Sequence, residues 1–316
     1  MEFADNTLAG RAARGAYTRK PAWLRVQLQA GAAFGEVRKT LDSSRLHTVC
    51  EEARCPNLHE CWGKYKTASF MILGDTCTRR CRFCAVKTGL PRGVDGRHGQ
   101  AGLDHDEPRR VAEAALAMNL VHVVVTMVTR DDLPDGGAGM MAATVAALRL
   151  AVPSISVELL SSDLMGNRDS IRSLAASGAD ILSHNLETVR RLTPIVRSRS
   201  DYDRSLAFLV TSREFAPRAL IKSSLMLGLG ETREEILATM DDLRAAGIEI
   251  LNLGQYLQPS RLHAPVEKYW TPEEFAELRQ QGIQRGFRHV EAGPLVRSSY
   301  HAGEQFAKMT NMTNIG

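Results

Sequence analysis

Residues 67–84, TASFMILGDTCTRRCRFC, decide the fold of this 316-residue chain. TASFMILG is a short apolar run closed by Gly74, with the length and composition of a buried strand. Cys77, Cys81 and Cys84 follow at once, spaced C-x3-C-x2-C on the loop that leaves the strand. Parallel α/β domains carry their chemistry on such loops, at the C-terminal ends of their strands.

Downstream the pattern repeats. Apolar runs at 120–128, 154–160, 179–185, 219–228, 248–257 and 289–296 alternate with helical stretches at 106–119, 140–152, 167–178, 204–215, 232–247 and 272–285. Thr232 with Glu235, and Thr271 with Glu274, have capping-box spacing, and Pro108 and Pro272 fall in first turns. Val-, Ile- and Leu-rich strands between such helices predict a parallel sheet of about six strands covered by helices. Polar clusters stand at strand ends: Arg130-Asp131-Asp132, HNLET (184–188), GLGET (228–232) and GQYLQPS (254–260). A closed or partial (β/α) barrel and an open doubly wound sheet both predict this placement.

Upstream lies a second triplet, CEEARCPNLHEC (50–61), with Cys50, Cys55 and Cys61 spaced C-x4-C-x5-C. All six cysteines of the chain therefore crowd between residues 50 and 84. Clustered thiolates suit iron–sulfur clusters or zinc. Zinc needs a fourth ligand, such as His59 or His98, and neither has a usual finger spacing. Three thiolates can hold three irons of a cubane cluster and leave the fourth open, as a catalytic metal requires. Disulfides are not expected: the chain needs no staples and carries no secretion signal, so we expect a reducing, cytoplasmic setting. No run of eighteen apolar residues exists, so no membrane span is expected. A formal charge of +4 without a basic run argues against nucleic acid. Arg79, Arg80 and Arg82 among the second triplet suggest either a solvated loop or a positive rim that steers an acidic partner. Residues 1–20 read as a mobile tail, KPAWLRVQL (20–28) as a segment docked on the body, 35–49 as a helix, and RSSYHAGEQFAKM as a closing tail.

C-x3-C-x2-C with Phe83 before the last cysteine, just after a first strand, resembles the radical S-adenosylmethionine superfamily. The upstream triplet, with HNLET, GLGET, GQYLQPS and RSSYHA, resembles the lipoyl synthase family from about Lys20 to Ala302. The resemblance implies a partial (β/α)6 barrel (67–288), an N-terminal extension with the auxiliary ligands (1–66), and a C-terminal strand and tail (289–316) closing the barrel mouth. It implies that Cys77, Cys81 and Cys84 hold a 4Fe-4S cluster whose open iron takes S-adenosylmethionine, cleaved on reduction to methionine and a 5′-deoxyadenosyl radical. Cys50, Cys55 and Cys61 would hold an auxiliary 4Fe-4S cluster, with Ser299 of Arg297-Ser298-Ser299-Tyr300 as fourth ligand. Serine oxygen binds this soft cluster less well than thiolate, which suits a cluster consumed as a sulfur source. The implied reaction inserts two sulfurs at carbons 6 and 8 of an octanoyl chain amide-linked to a lysine of a lipoyl-domain protein. Those C–H bonds carry no acidic proton, so a radical is needed.

The implied partners are octanoylated lipoyl-domain proteins (2-oxoacid dehydrogenase E2 subunits and the glycine cleavage H protein), a ferredoxin or flavodoxin as electron donor, and an iron–sulfur carrier for cluster repair. Asn185 and Glu187 would face cofactor or substrate, or else cap the next helix. Arg197 and Lys222 would pair with the cofactor carboxylate, or else form an ion pair. Gln255, Tyr256 and Gln258 would contact adenine or order the last strand. His184 reads as a packed, hydrogen-bonded histidine, and Gly228, Gly230 and Glu231 as a structural turn. The chain departs from the family pattern at Met127 and at Ser162-Asp163-Leu164, which leaves the ligands intact but alters the cofactor site. Another sulfur-inserting enzyme of the superfamily, an iron–sulfur carrier and a zinc module are the rival readings.

Overall fold

The computed structural model describes residues 20–25, 35, 38–39, 41, 44–52, 55, 57–63, 65, 67–93 and 96–313. Residues 1–19 of the tail expected at 1–20, and residues 26–28 of the docking segment, lie outside them. Ala22–Leu24 form one 3-10 turn with Leu24 buried.

Strand β1 (His47–Thr48) and helices α1 (Val49–Glu52) and α2 (Leu58–Gly63) surround the first triplet. Strand β2 (Thr67–Ile72) follows, and a short pairing of β3 (Thr76–Cys77) with β4 (Lys87–Thr88) frames the second. The alternation then runs α3 (Glu107–Ala117), β5 (His122–Met127), α4 (Ala138–Ala151), β6 (Ser156–Leu160), α5 (Arg168–Ala175) and β7 (Ile181–Ser183). It continues through α6 (Thr193–Val196), α7 (Tyr202–Phe215), β8 (Leu220–Leu227), α8 (Arg233–Ala245), β9 (Ile250–Gln255), α9 (Pro272–Gln284), β10 (His289–Gly293) and α10 (Ala302–Thr313). Both capping boxes form, with Thr232 and Glu235, and Thr271 and Glu274, each bonded reciprocally.

The main sheet has the order β1-β2-β5-β6-β7-β8-β9-β10. From β2 to β10 every neighbouring pair is parallel. The order never reverses, so there is no switch point of a doubly wound sheet. β2 and β10 do not pair with each other, which leaves an open, partial barrel. Among the described residues it has seven parallel strands, because β10 extends the sheet beyond the six expected at 67–288.

One expectation fails, and one element goes beyond the sequence reading. Residues 47–48 do not end a helix: His47 pairs antiparallel opposite Met71, covering the outer edge of β2. The C-terminal tail is helical from Ala302 to Thr313. Ala302, Phe306 and Met309 recur at i, i+4 and i+7, the apolar stripe of a packed helix. This helix crosses the N-terminal ends of β2 and β5, where a Cβ on Gly303 would stand 3.0 Å from that of His122. Among the described residues no helix is long and apolar enough to cross a membrane.

Candidate active site

The second triplet sits on a loop held at many points. Thr78 donates from both its N–H and its hydroxyl to the Thr129 carbonyl at 3.0 Å. The Arg82 N–H donates to Val196 O, and Ala264 N–H donates to Arg82 O. His263 Nε2–H donates to the carbonyl of Cys84 at 3.0 Å, while the Ser260 hydroxyl donates to Nδ1 at 2.8 Å and so sets the tautomer. The loop after β9 is thus fastened to the cysteine loop at two points.

Arg79 is not part of a rim. It is buried, its guanidinium forks onto Asp131 with two 2.8 Å bonds, and it also donates to Asp163. Burial pushes the Asp163 carboxyl up, but Arg79 and Arg204 outweigh this and hold it well below the usual carboxylate range. Acids from the loops after β5 and β6 converge on the arginine, which makes it an internal brace. Arg80 and Arg82 remain exposed.

The first triplet lies in the open seam of the barrel. Cys50, Cys55 and Cys61 line a small cavity between Thr67 and Ser69 of β2 and Arg297, Ser299 and Tyr300 of the loop after β10. Three contacts bring that loop in. Asn57 Nδ2 donates to Leu295 O at 2.6 Å, Asn252 Nδ2 donates to Arg297 O and Ser298 O at 3.0 and 2.9 Å, and the Tyr300 hydroxyl donates to Glu60 at 3.1 Å. Gly254 permits the approach, since a Cβ there would stand 2.0 Å from Val296 O.

The donor sets fit iron–sulfur clusters. Burial pushes the thiols of Cys50 and Cys84 up to about 12, Cys81 to about 11, and Cys55 and Cys61 upward, so these thiols need a cation to become ligands. Arg297 is half-buried; burial lowers its pKa, and the Cys55 thiolate is the charge that favours its cationic form. Such a guanidinium suits an anionic, thiolate-held group. Among the described residues no three His, Cys, Asp or Glu groups are arranged to hold a metal ion of their own. A cubane takes each thiolate on a separate iron and spaces its ligands more widely than one zinc does. His98 Nδ1 donates to Pro91 O, and the His59 side chain lies outside the described part.

Both triplets open onto one cavity of about 350 Å3 at the barrel mouth. Cys50, Cys55, Cys77, Cys81, Cys84 and Ser299 all line it, against an apolar wall that includes Met127, Leu160 and Leu257. Asn185, Glu187 and Arg197 face it together. Asn185 Nδ2 donates to Glu187 Oε1 at 3.1 Å. Burial raises the Glu187 pKa, which Arg197 opposes. Arg197 donates to Leu186 O and Ser205, and its own pKa is lowered by burial. Met127 stands on the cavity wall, and Asp163 braces Arg79, so the departures from the family pattern touch the site's shape.

Lys222 is absent from this cavity. Its ammonium lies inside the barrel, 2.9 Å from Glu158, both fully buried, and Glu158 also accepts from Ser183. Gln255 lines the cavity, but its side chain bonds Leu227 O, Tyr256 O, Lys268 O and Trp270 N–H, ordering the strand end. Tyr256 donates to Ala264 O and Gln258 to His263 O. His184 donates from Nδ1 to Ser161 O and accepts at Nε2 from Ser205. Glu231 accepts from the N–H groups of Gly228 and Leu229 and from Trp270, closing its turn. Sequence reasoning missed Asn57, Asn252, Gly254 and His263; a glycine inside a buried strand was the available signal.

Solved structures share this fold. Streptococcus suis SuiB bound to S-adenosylmethionine superposes with a TM-score of 0.51 at 14% identity, over 78% of this chain and 56% of that one. The FeFe-hydrogenase maturase of Carboxydothermus hydrogenoformans gives 0.51 at 14%, over 88% and 70%. The radical SAM superfamily profile matches residues 71–243, so the barrel and its cysteine loop are those of a radical S-adenosylmethionine enzyme. The profile for the N-terminal domain of lipoyl synthase matches residues 2–55. Curated lipoyl synthases of Halalkalibacterium halodurans and Bacillus subtilis are 55% and 54% identical over 289 residues, covering 92% of this chain and 92% and 94% of theirs. The chain belongs to the lipoyl synthase family, enzymes that bind S-adenosylmethionine and two 4Fe-4S clusters.

Proposed function

We propose that the chain inserts sulfur at carbons 6 and 8 of an octanoyl group carried on a lysine of a lipoyl-domain protein, with residues 50–61 and 297–300 forming the sulfur-donor site. The observation that carries this reading is the single cavity onto which both cysteine triplets open. Cys77, Cys81 and Cys84 would hold one cluster, and Cys50, Cys55, Cys61 and Ser299 the other. When bound, the clusters and S-adenosylmethionine supply one-electron reduction, hydrogen abstraction and sulfur.

The chain's own residues do the rest. Arg197 offers a buried cation for the cofactor carboxylate, and Asn185 and Glu187 offer acceptors for its ammonium, whereas Lys222 is committed to Glu158. The apolar wall receives the acyl chain and keeps water from the reacting carbons. We assign residues 1–66 to an N-terminal extension and 289–316 to a closing segment. The partners are octanoylated lipoyl domains, a ferredoxin or flavodoxin, and a cluster-repair carrier, in the cytoplasm.

Anaerobic reconstitution tests this. About eight irons per chain are expected for the native sequence and about four for the Cys77/Cys81/Cys84→Ala variant, with thiolated octanoyl peptide formed only by the former. A single cluster, or zinc, with no 5′-deoxyadenosine produced, would overturn it.

A further inference from the structure

Cys77, Arg79 and Cys81 line the active cavity, whereas Thr78 and Arg80 line a separate groove of about 540 Å3 on the other side. Side chains of an extended segment alternate in direction. Residues 77–81 are therefore a wall one backbone thick, with the cluster loop on the inside and the groove outside. Gly89, across the groove, donates its N–H to the Cys77 carbonyl at 3.0 Å, so the groove floor touches a cysteine of the triplet.

The charges in the groove are unequal. Asp131 and Asp132 line it, but Arg79 neutralises the first and Arg130 the second, each by a bidentate fork at 2.8 Å. Arg80 and Arg199 also line it, both exposed, and neither has an ion-pair partner among the described residues. Arg199 is held in the left-handed region at φ 61, with its carbonyl accepting from Arg204 at 2.6 Å, so its turn is fixed. Leu90, 62% exposed, adds an apolar contact. The groove is net positive with one apolar element, and it backs onto the cluster loop.

We propose that this groove docks a small acidic one-electron carrier protein, which reduces the cluster across residues 77–81. One electron leaves the carrier, which is oxidised by one unit, and enters the cluster; no bond or proton moves. The proposal rests on the functional reading above and adds where the electron enters. Electron transfer weakens steeply with distance, and opposite charge concentrates the carrier at the groove.

The test compares the Arg80→Glu/Arg199→Glu variant with the native protein, both reconstituted, by stopped-flow bleaching of the cluster. Reduced flavodoxin and dithionite serve as separate reductants. Reduction by flavodoxin should slow at least about ten-fold at low salt and lose most of its salt dependence. Iron content and the dithionite rate should stay at native values. An unchanged flavodoxin rate overturns the proposal, as does a variant impaired only in turnover of an octanoylated lipoyl domain. If charge reversal also lowers iron content, Arg80→Gln/Arg199→Gln decides. A loss confined to flavodoxin supports the groove, and an equal loss with both reductants overturns it. Native protein that forms no 5′-deoxyadenosine even with dithionite would remove the functional reading, and with it this proposal; loss in the flavodoxin arm alone has no such source.

Discussion

Asn252→Leu should release the C-terminal loop from the barrel while sparing the cysteine loop at 77–84. Asn252 is fully buried on β9, and its Nδ2 is the donor to Arg297 O and Ser298 O. Leucine has similar bulk but no donor. Arg297 O keeps the bond it accepts from Tyr300 N–H, whereas Ser298 O loses its partner. A buried carbonyl stripped of its donor costs about 1–3 kcal/mol, and the second lost bond about 1 kcal/mol. Removing Asn252 Oδ1, which has no partner, returns about 1 kcal/mol of this. The net is about 2 kcal/mol against the docked loop, roughly a thirty-fold shift toward the open form. Amide exchange at Tyr300 and Ala302 in the cluster-free protein should accelerate by about that factor. After reconstitution, the variant should lose iron toward about four per chain and lose thiolated product, yet still form 5′-deoxyadenosine with dithionite. Asn252→Asp should be worse, because a carboxylate would face two carbonyl oxygens. Native exchange rates and native iron in Asn252→Leu would refute the claim that this side chain positions Ser299.

Gly254→Ala places a methyl where Val296 O now lies, so it should cost about 1–3 kcal/mol and lower auxiliary iron in the same assay, with β9 intact by circular dichroism. Lys222→Met strands the Glu158 carboxylate inside the barrel and should cost about 3–5 kcal/mol in urea unfolding, whereas Lys222→Met with Glu158→Gln should recover most of it. Undiminished stability in the single variant, with S-adenosylmethionine affinity lost, would instead make Lys222 a cofactor ligand. Burial lowers His122 to about 3 and His184 to about 4, so each stays neutral in the fold while the unfolded chain takes up a proton near 6.5. The unfolded state then binds more protons as pH falls below 6.5, and stability declines until about pH 4 for His184 and about pH 3 for His122. Going from about pH 7.5 to about pH 5.5 should cost about 1 kcal/mol per histidine, and His122→Asn, which can keep a bond to Ser156, should halve that acid loss.

What was legible in the sequence was local. The cysteine triplets, the capping boxes and RSSY each declare themselves within a dozen residues, and so does the alternation of strands and helices. Strand order is not local, and only the unreversed sequence of neighbours from β2 to β10 separates a barrel from a doubly wound sheet. Arg79 and Lys222 mislead for the same reason. The acids that bury them, Asp131, Asp163 and Glu158, come from loops and strands far along the chain. β9 is the instructive exception. Asn252 and Gly254 are poor strand formers, stand two residues apart and so share one face of a fully buried strand. A buried strand that spends two positions of one face on a side-chain donor and on no side chain at all has reserved that face for another backbone. The loop that seats there is the one carrying Ser299. The place of Ser299 is therefore set by β9 as much as by RSSY itself, and the alternate residues of such a strand mark where a closing segment will seat.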